Sequence, residues 1–254
     1  MKEIIIKDNA KEEIKLEGGD VTIKIGKKAE VQVTEIAKIS EERKINLEVG
    51  EEAKVNFISV QFSGSSIKEV NVKDKGKINW IDCCLGEGKS KIKTNLIGEG
   101  SESESLSVVF GVKEEDFEGV NEVIHSGSES KSNMLSRIVL NDKAKAVYDG
   151  LVKIEAKASG CEGYQKKEAI LLSEDARVES IPNLKIANNN VKCSHGATIS
   201  QIDEDKLFYM MSRGISEKEA KKTIIEGFFD PILIKIEDET IKDEIKNLVS
   251  KNLG

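Results

Sequence analysis

The chain has 254 residues, a third of them charged, and a formal net charge of −7. An acidic balance argues against a general nucleic-acid binder, which needs a basic face to displace counterions. No apolar run reaches the roughly 18–20 residues that span a bilayer, and the N-terminal apolar run is too short for a signal peptide, so the sequence reads as that of a cytoplasmic protein.

Residues 1–200 read as a succession of short strands. They are Val21–Ile25, Val31–Ile39, Lys44–Val49, Lys54–Phe62, Ile67–Val72, Lys77–Leu85, Lys91–Ile97 and Leu106–Val112. Most place apolar side chains at i, i+2 and i+4, so one face is buried and one is wet. Glycines punctuate the runs at intervals of roughly 10–14 residues, an all-β signal. Asp149-Gly150 is the only Asn-Gly or Asp-Gly pair, the favoured tight-hairpin turn. The other turns, such as GEGKS, GEGSESES and SGSESKS, are longer and polar. That favours a coiled stack of rungs, a parallel β-helix, over a sandwich. No strict repeat is visible, so the choice rests on spacing.

Beyond Val120 the pattern continues with interruptions. Leu151–Ala158 and Ala169–Ser173 are strand-like, and Ile181, before Pro182, must be extended or turned. After Gln201 the period becomes helical. Asp203 caps a short helix closed by Gly214. Ser216 and Glu219 form a capping box for a second helix that should end at Gly227, with Asp230-Pro231 breaking the chain. A third helix starts near Asp238 and carries Ile241, Ile245, Leu248 and Val249 on one stripe. The expected division is a β body over 1–200 and a small α-helical subdomain over 201–254. Phe208, Tyr209, Met210, Met211, Phe228 and Phe229 either pack the helices onto the body or form a docking surface.

Four cysteines, Cys83, Cys84, Cys161 and Cys193, form no C-x-x-C pair and no disulfide framework. Gly88-Lys89-Ser90 ends like a phosphate-binding loop, but Cys83 stands where that motif needs its first glycine and no helix follows. It reads as a turn between rungs. Cys83 and Cys84 are adjacent, so in a strand they point to opposite faces and read as core thiols. Cys161, flanked by Gly160 and Gly163, falls at an expected turn, either an exposed reactive thiol or a bystander. Cys193 and His195 are two apart, so in a strand they share a face. Both are ligands for iron, zinc or copper(I). A structural role and a Cys–His nucleophile stay open beside a metal role.

The stretch VKCSHGATISQIDEDKLFYMMSRGI (191–215), followed by EAKKTIIEGF (219–228), resembles the C-terminal signature of the SufB/SufD scaffold family of the SUF iron–sulfur cluster assembly system. KCSHGAT is closest to the SufD style; a SufB-style sequence would carry glutamate at Gly196. The resemblance implies a right-handed parallel β-helix with a C-terminal helical subdomain. It also implies a nascent Fe–S cluster held at a dimer interface near the end of the β-helix, and docking of a SufC-like ABC ATPase on about 203–254. It matches His195 to the family's interface histidine and Cys193 to the SufD-style cysteine. The family's SufB-type rung cysteine is replaced by Lys167, so Cys161 or Cys193 would have to substitute for it. The short length fits a minimal homodimeric scaffold, itself non-catalytic, with ATP hydrolysed by the partner. The alternatives are a structural or regulatory partner of the ATPase without a cluster, and a metal- or thiol-dependent β-helix enzyme. Against the last, no Asp and Arg cluster of the lyase type is found.

Overall fold

The computed structural model describes residues 2–37 and 42–253. Sixteen strands alternate between two sheets. One sheet holds β1 (Lys2–Ile6), β3 (Val21–Ile25), β5 (Glu42–Val49), β7 (Ser65–Val72), β9 (Gly88–Leu96), β11 (Asp116–His125), β13 (Lys145–Ile154) and β15 (Arg177–Ile186). The other holds β2 (Lys11–Leu16), β4 (Glu30–Ala37), β6 (Lys54–Gln61), β8 (Lys77–Leu85), β10 (Glu102–Gly111), β12 (Lys131–Leu140), β14 (Cys161–Leu171) and β16 (Val191–Gln201). Each strand pairs in parallel with the strand two along, so the chain coils as a parallel β-helix of two-strand rungs. The expected strands between Val21 and Val112 are present, although Lys38 and Ile39, placed at the end of one of them, lie outside the described residues. The strand expected over Leu151–Ala158 is longer and lies earlier: β13 runs Lys145–Ile154.

The coil has a turn-level repeat. Gly26-Lys27-Lys28-Ala29 and Gly50-Glu51-Glu52-Ala53 fill the same corner of successive rungs. Lys28 and Glu52 take positive φ of 57° and 58°, and Ala29 and Ala53 are fully buried. A Cβ on Gly50 would lie 2.6 Å from the Ile25 carbonyl oxygen, so close stacking of rung backbones requires glycine there.

Between the sheets, two apolar columns are separated by a polar ladder. Glu35, Ser59, Asp82, Ser107, Ser136 and Lys167 are register neighbours on successive strands of one sheet, all buried. Their charges are met from the opposite sheet. Arg43 donates to Glu35 at 2.5 Å, and Lys68 and Ser90 donate to Asp82 at 2.5 and 2.6 Å. Burial opposes the Lys68 ammonium, but Asp82 and Glu35 outweigh it and hold its pKa above the usual value. Ser107 and Tyr148 hydroxyls meet at 2.8 Å. Burying such groups is tolerable only because each finds a partner.

Three helices follow: α1 (Glu204–Ser212), α2 (Glu217–Leu233) and α3 (Glu239–Lys251). The caps are those expected: the side chains of Asp203, Ser216 and Asp238 accept backbone N–H groups at the three N-termini. Gly214, at φ 89°, closes α1. The second helix departs from expectation, running through Gly227 and Pro231 to Leu233. Proline inside a helix costs about 3 kcal/mol. Burial of Phe229, Ile232 and Leu233, at about 2 kcal/mol each, outweighs that. These side chains, with Ile225, Ile236, Ile241, Ile245 and Val249, cover Ile58, Ile81, Cys83, Leu106 and Val108 on the outer face of the β2–β16 sheet. Cys83 faces this layer and Cys84 the interior, the opposite-face arrangement expected of adjacent strand residues.

The six aromatic and methionine side chains divide. Phe229 is buried and Phe228 partly so, while Phe208, Tyr209 and Met211 are 74%, 59% and 43% exposed. No residue of α1 is buried.

Candidate functional site

The last strand, β16, holds the candidate pair. Its register on β14 sets Cys161 beside Val191, Gly163 beside Cys193, Gln165 beside His195 and Lys167 beside Ala197. Cys161, Gly163, Gln165 and Lys167 are buried and inward-facing. Parallel register partners share a face, so Cys193 and His195 both stand on the inner side of the terminal rung. The same-face reading of the i, i+2 pair holds. Among the described residues no strand pairs beyond them, because β15 and β16 are the end strands of their sheets. Cys193 is half-buried, packed against the apolar column, and His195 is exposed. Burial pushes the Cys193 thiol up, an N–H from Gly163 pulls it down, and the neighbouring Cys161 raises it. Glycine at 163 leaves room: a Cβ there would sit 3.4 Å from Cys193 Sγ and 2.7 Å from Val152 Cγ1.

Cys161 is not at an exposed turn. It opens β14, fully buried, and continues the corner ladder of small side chains through Ser101 and Ser130. Its Sγ lies 3.3 Å from Ser130 Oγ and 3.5 Å from the Gly127 carbonyl oxygen. Beneath it, buried His125 meets Ser130 through Nδ1 and Ser132 through Nε2, each at 2.8 Å. Burial pulls the His125 imidazole down to about 4, against the Ser130 hydrogen bond, so the ring is neutral. The strand alternation does not single this residue out, because it occupies an inner position like any core side chain.

Lys167, at the position of the expected cysteine, is an interior strut. Its Nζ donates to the carbonyl oxygens of Tyr148 (2.7 Å) and Ile181 (3.3 Å) and lies 5.1 Å from the Tyr148 ring centroid. Burial pulls its pKa down to about 8, with Asp149 opposing. Gln165 donates to the Asn183 carbonyl oxygen at 3.0 Å. Both cross the interior because Gly150 has no side chain: a Cβ there would lie 2.5 Å from Gln165 Oε1 and 3.0 Å from Lys167 Nζ. The sequence pattern missed these struts, since polar residues at inward positions look like an interrupted strand.

Among the described residues, no three His, Cys, Asp or Glu side chains converge to hold a metal ion. One chain thus places a Cys–His pair on the inner face of its terminal rung. No helix is long and apolar enough to cross a membrane.

Residues 6–228 match the family model described as "SUF system FeS cluster assembly, SufBD core domain". The chain is 31% identical over 179 residues to the iron–sulfur cluster assembly protein SufD of Bacillus subtilis, covering 70% of this chain and 41% of that protein. It is 30% identical over 194 residues to an iron–sulfur cluster assembly SufBD family protein of Staphylococcus saprophyticus, covering 74% of this chain and 42% of the relative. The chain thus spans about two fifths of the length of the curated relatives it matches.

Proposed function

Because the chain belongs to the SufBD family of the SUF iron–sulfur cluster assembly system, we propose that it is a cytoplasmic scaffold on which a nascent Fe–S cluster is assembled between two copies of itself. The observation that carries this reading is the Cys193–His195 pair on the inner face of an end strand with one free edge, with no third ligand converging on it among the described residues. A twofold axis at this end brings a second pair opposite the first, making four ligands from two incomplete sites. The free edges of β15 and β16 can pair with a second copy, and the exposed Ile186 and Ile199 beside them add apolar surface. Thiolate and imidazole suit iron in a cluster that is cargo rather than a resident cofactor. In this reading Cys161, buried beneath the rung, supports Cys193.

In this reading residues 1–200 form the assembly body and 201–254 the docking unit for a SufC-like ABC ATPase. The support is α1, whose Phe208, Tyr209 and Met211 are uncovered. ATP is hydrolysed by that partner, and this chain is non-catalytic.

Anaerobic reconstitution with ferrous iron and sulfide tests the cluster site. The parent should develop the charge-transfer absorbance of a cluster, and Cys193→Ala and His195→Ala should lose most of it. Equal cluster content in both variants would reject the assignment. A second reading, a partner of the ATPase that carries no cluster, is favoured by one observation, the strut Lys167 in place of a cysteine. It predicts copurification with the ATPase and no cluster under any reducing condition.

A further inference from the structure

Helix α2 carries two residues that should end a helix, yet it continues through both. Pro231 has no N–H, so the Gly227 carbonyl oxygen loses the donor four residues on. Gly227 itself is exposed, and a Cβ there would meet nothing within 4 Å. Local preference is overridden here by packing, more densely on one side than on the other. Phe229 within the interruption, and Ile232 and Leu233 beyond it, are buried against the sheet. Before it, α1 buries nothing and packs on α2, which buries Ala220 and Ile225, the latter against the sheet layer.

The outer face of β16 is also uncovered. A cleft of about 650 Å³ separates Thr198, Ser200 and Ile170 on the terminal strands from Lys206, Thr223 and Ile224 on the helices. At its edge stands Arg137 of β12. Its Nη1 donates to the Phe228 carbonyl oxygen, its guanidinium lies 4.9 Å from the Phe228 ring centroid, and its Nε donates to Glu168 of β14 at 3.0 Å. Glu168 is the register partner of Thr198 on β16.

We propose that Gly227–Pro231 is a hinge about which α1 and the first turns of α2 swing as an arm over this cleft, with Arg137 as the clamp that sets its resting angle. Glycine and proline within one helical turn are the usual seat of a bend, and an arm whose buried side chains are Ala220 and Ile225, with none from α1, moves at lower cost than the densely buried segment that follows it. The clamp touches the arm's pivot and the strand next to β16. Movement of a partner docked on α1 is thereby felt at the strand that carries Cys193 and His195. This last step rests on the function proposed above; the hinge does not.

Pulsed EPR distances between spin labels at Ser212→Cys on α1 and Lys185→Cys on β15, in a Cys193→Ser background, test the hinge. The parent should give a broad distribution. Gly227→Ala with Pro231→Ala, which restores the missing N–H, should cut its width to about half, and Arg137→Ala should broaden it. A narrow parent distribution unchanged by either variant overturns the proposal. Hydrogen exchange on the unlabelled chain gives a second reading: amides over 204–224 should exchange about tenfold faster than those over 232–251. Equal protection of the two segments also overturns it. Neither measurement involves a cluster, so its result stands apart from the fate of the Cys193–His195 assignment.

Discussion

Replacing Phe208 and Tyr209 by alanine separates docking from folding. Phe208 is 74% exposed and Tyr209 59% exposed, and α1 has no buried residue, so truncation removes no core contact. Thermal or urea unfolding should change by no more than about 0.5 kcal/mol. Binding is another matter. An aromatic side chain offers about 200 Å², and burying three quarters of it at about 25 cal/mol per Å² is worth about 3–4 kcal/mol. Losses to ordering and imperfect fit reduce this to about 2 kcal/mol for a central aromatic anchor, roughly a 30-fold change in Kd. Calorimetric titration of the parent and of Phe208→Ala and Tyr209→Ala with a SufC-like ATPase reads this directly. The double variant should bind at least about 100-fold more weakly. Unchanged affinity in the double variant would refute docking through α1, and a large drop in stability would refute the claim that α1 buries nothing. Phe229→Ala is the contrast: fully buried, it should cost about 3–5 kcal/mol of stability.

Cys193 should be the one thiol that reacts quickly with a disulfide reagent in the folded chain, since Cys83, Cys84 and Cys161 are buried. The Cys193→Ser variant should then show no fast phase, and a persisting one would contradict the placement of Cys161. His125 makes stability pH-dependent. Its folded pKa lies near 4, below the unfolded value, so its contribution is whole above about pH 6.5 and is lost as pH falls through 4. The loss amounts to about 3 kcal/mol. Urea midpoints at pH 7 and pH 4 for the parent and His125→Asn should differ in their pH slope; identical slopes would exclude His125. Lys68→Met leaves Asp82 buried without its cation and should destabilise by about 3–5 kcal/mol, whereas Lys68→Met with Asp82→Leu should recover much of this in the same urea titration. No recovery would show that the pair is not the source of the loss.

The rungs were legible because one face of each strand is apolar and the other polar. Lys77–Leu85 illustrates the strength of that signal, matching β8 end to end. The same-face placement of Cys193 and His195 followed from strand period alone. The interior ladder did not, because Asp82 and Lys167 stand at inward positions where the pattern expects apolar side chains. Only the opposite sheet supplies Lys68 for the first and backbone carbonyl oxygens for the second. Gly150 shows the same limit: its need is set by side chains of β14 that reach across the core. Glycine and proline predicted an end to α2 at Gly227, but burial of Phe229, Ile232 and Leu233 carries the helix on to Leu233. Cys161 was misplaced at a turn because its flanking glycines read as punctuation, while its register with Lys192's neighbour Val191 makes it the start of a strand.

The central claim is that two Cys193–His195 pairs face each other across a twofold axis. The distance between the two His195 side chains in a structure of the assembled dimer tests it most directly. A shared cluster requires a separation within about 10 Å, set by metal–ligand bonds and the size of the cluster. Two His195 side chains tens of ångströms apart in the dimer would contradict the account.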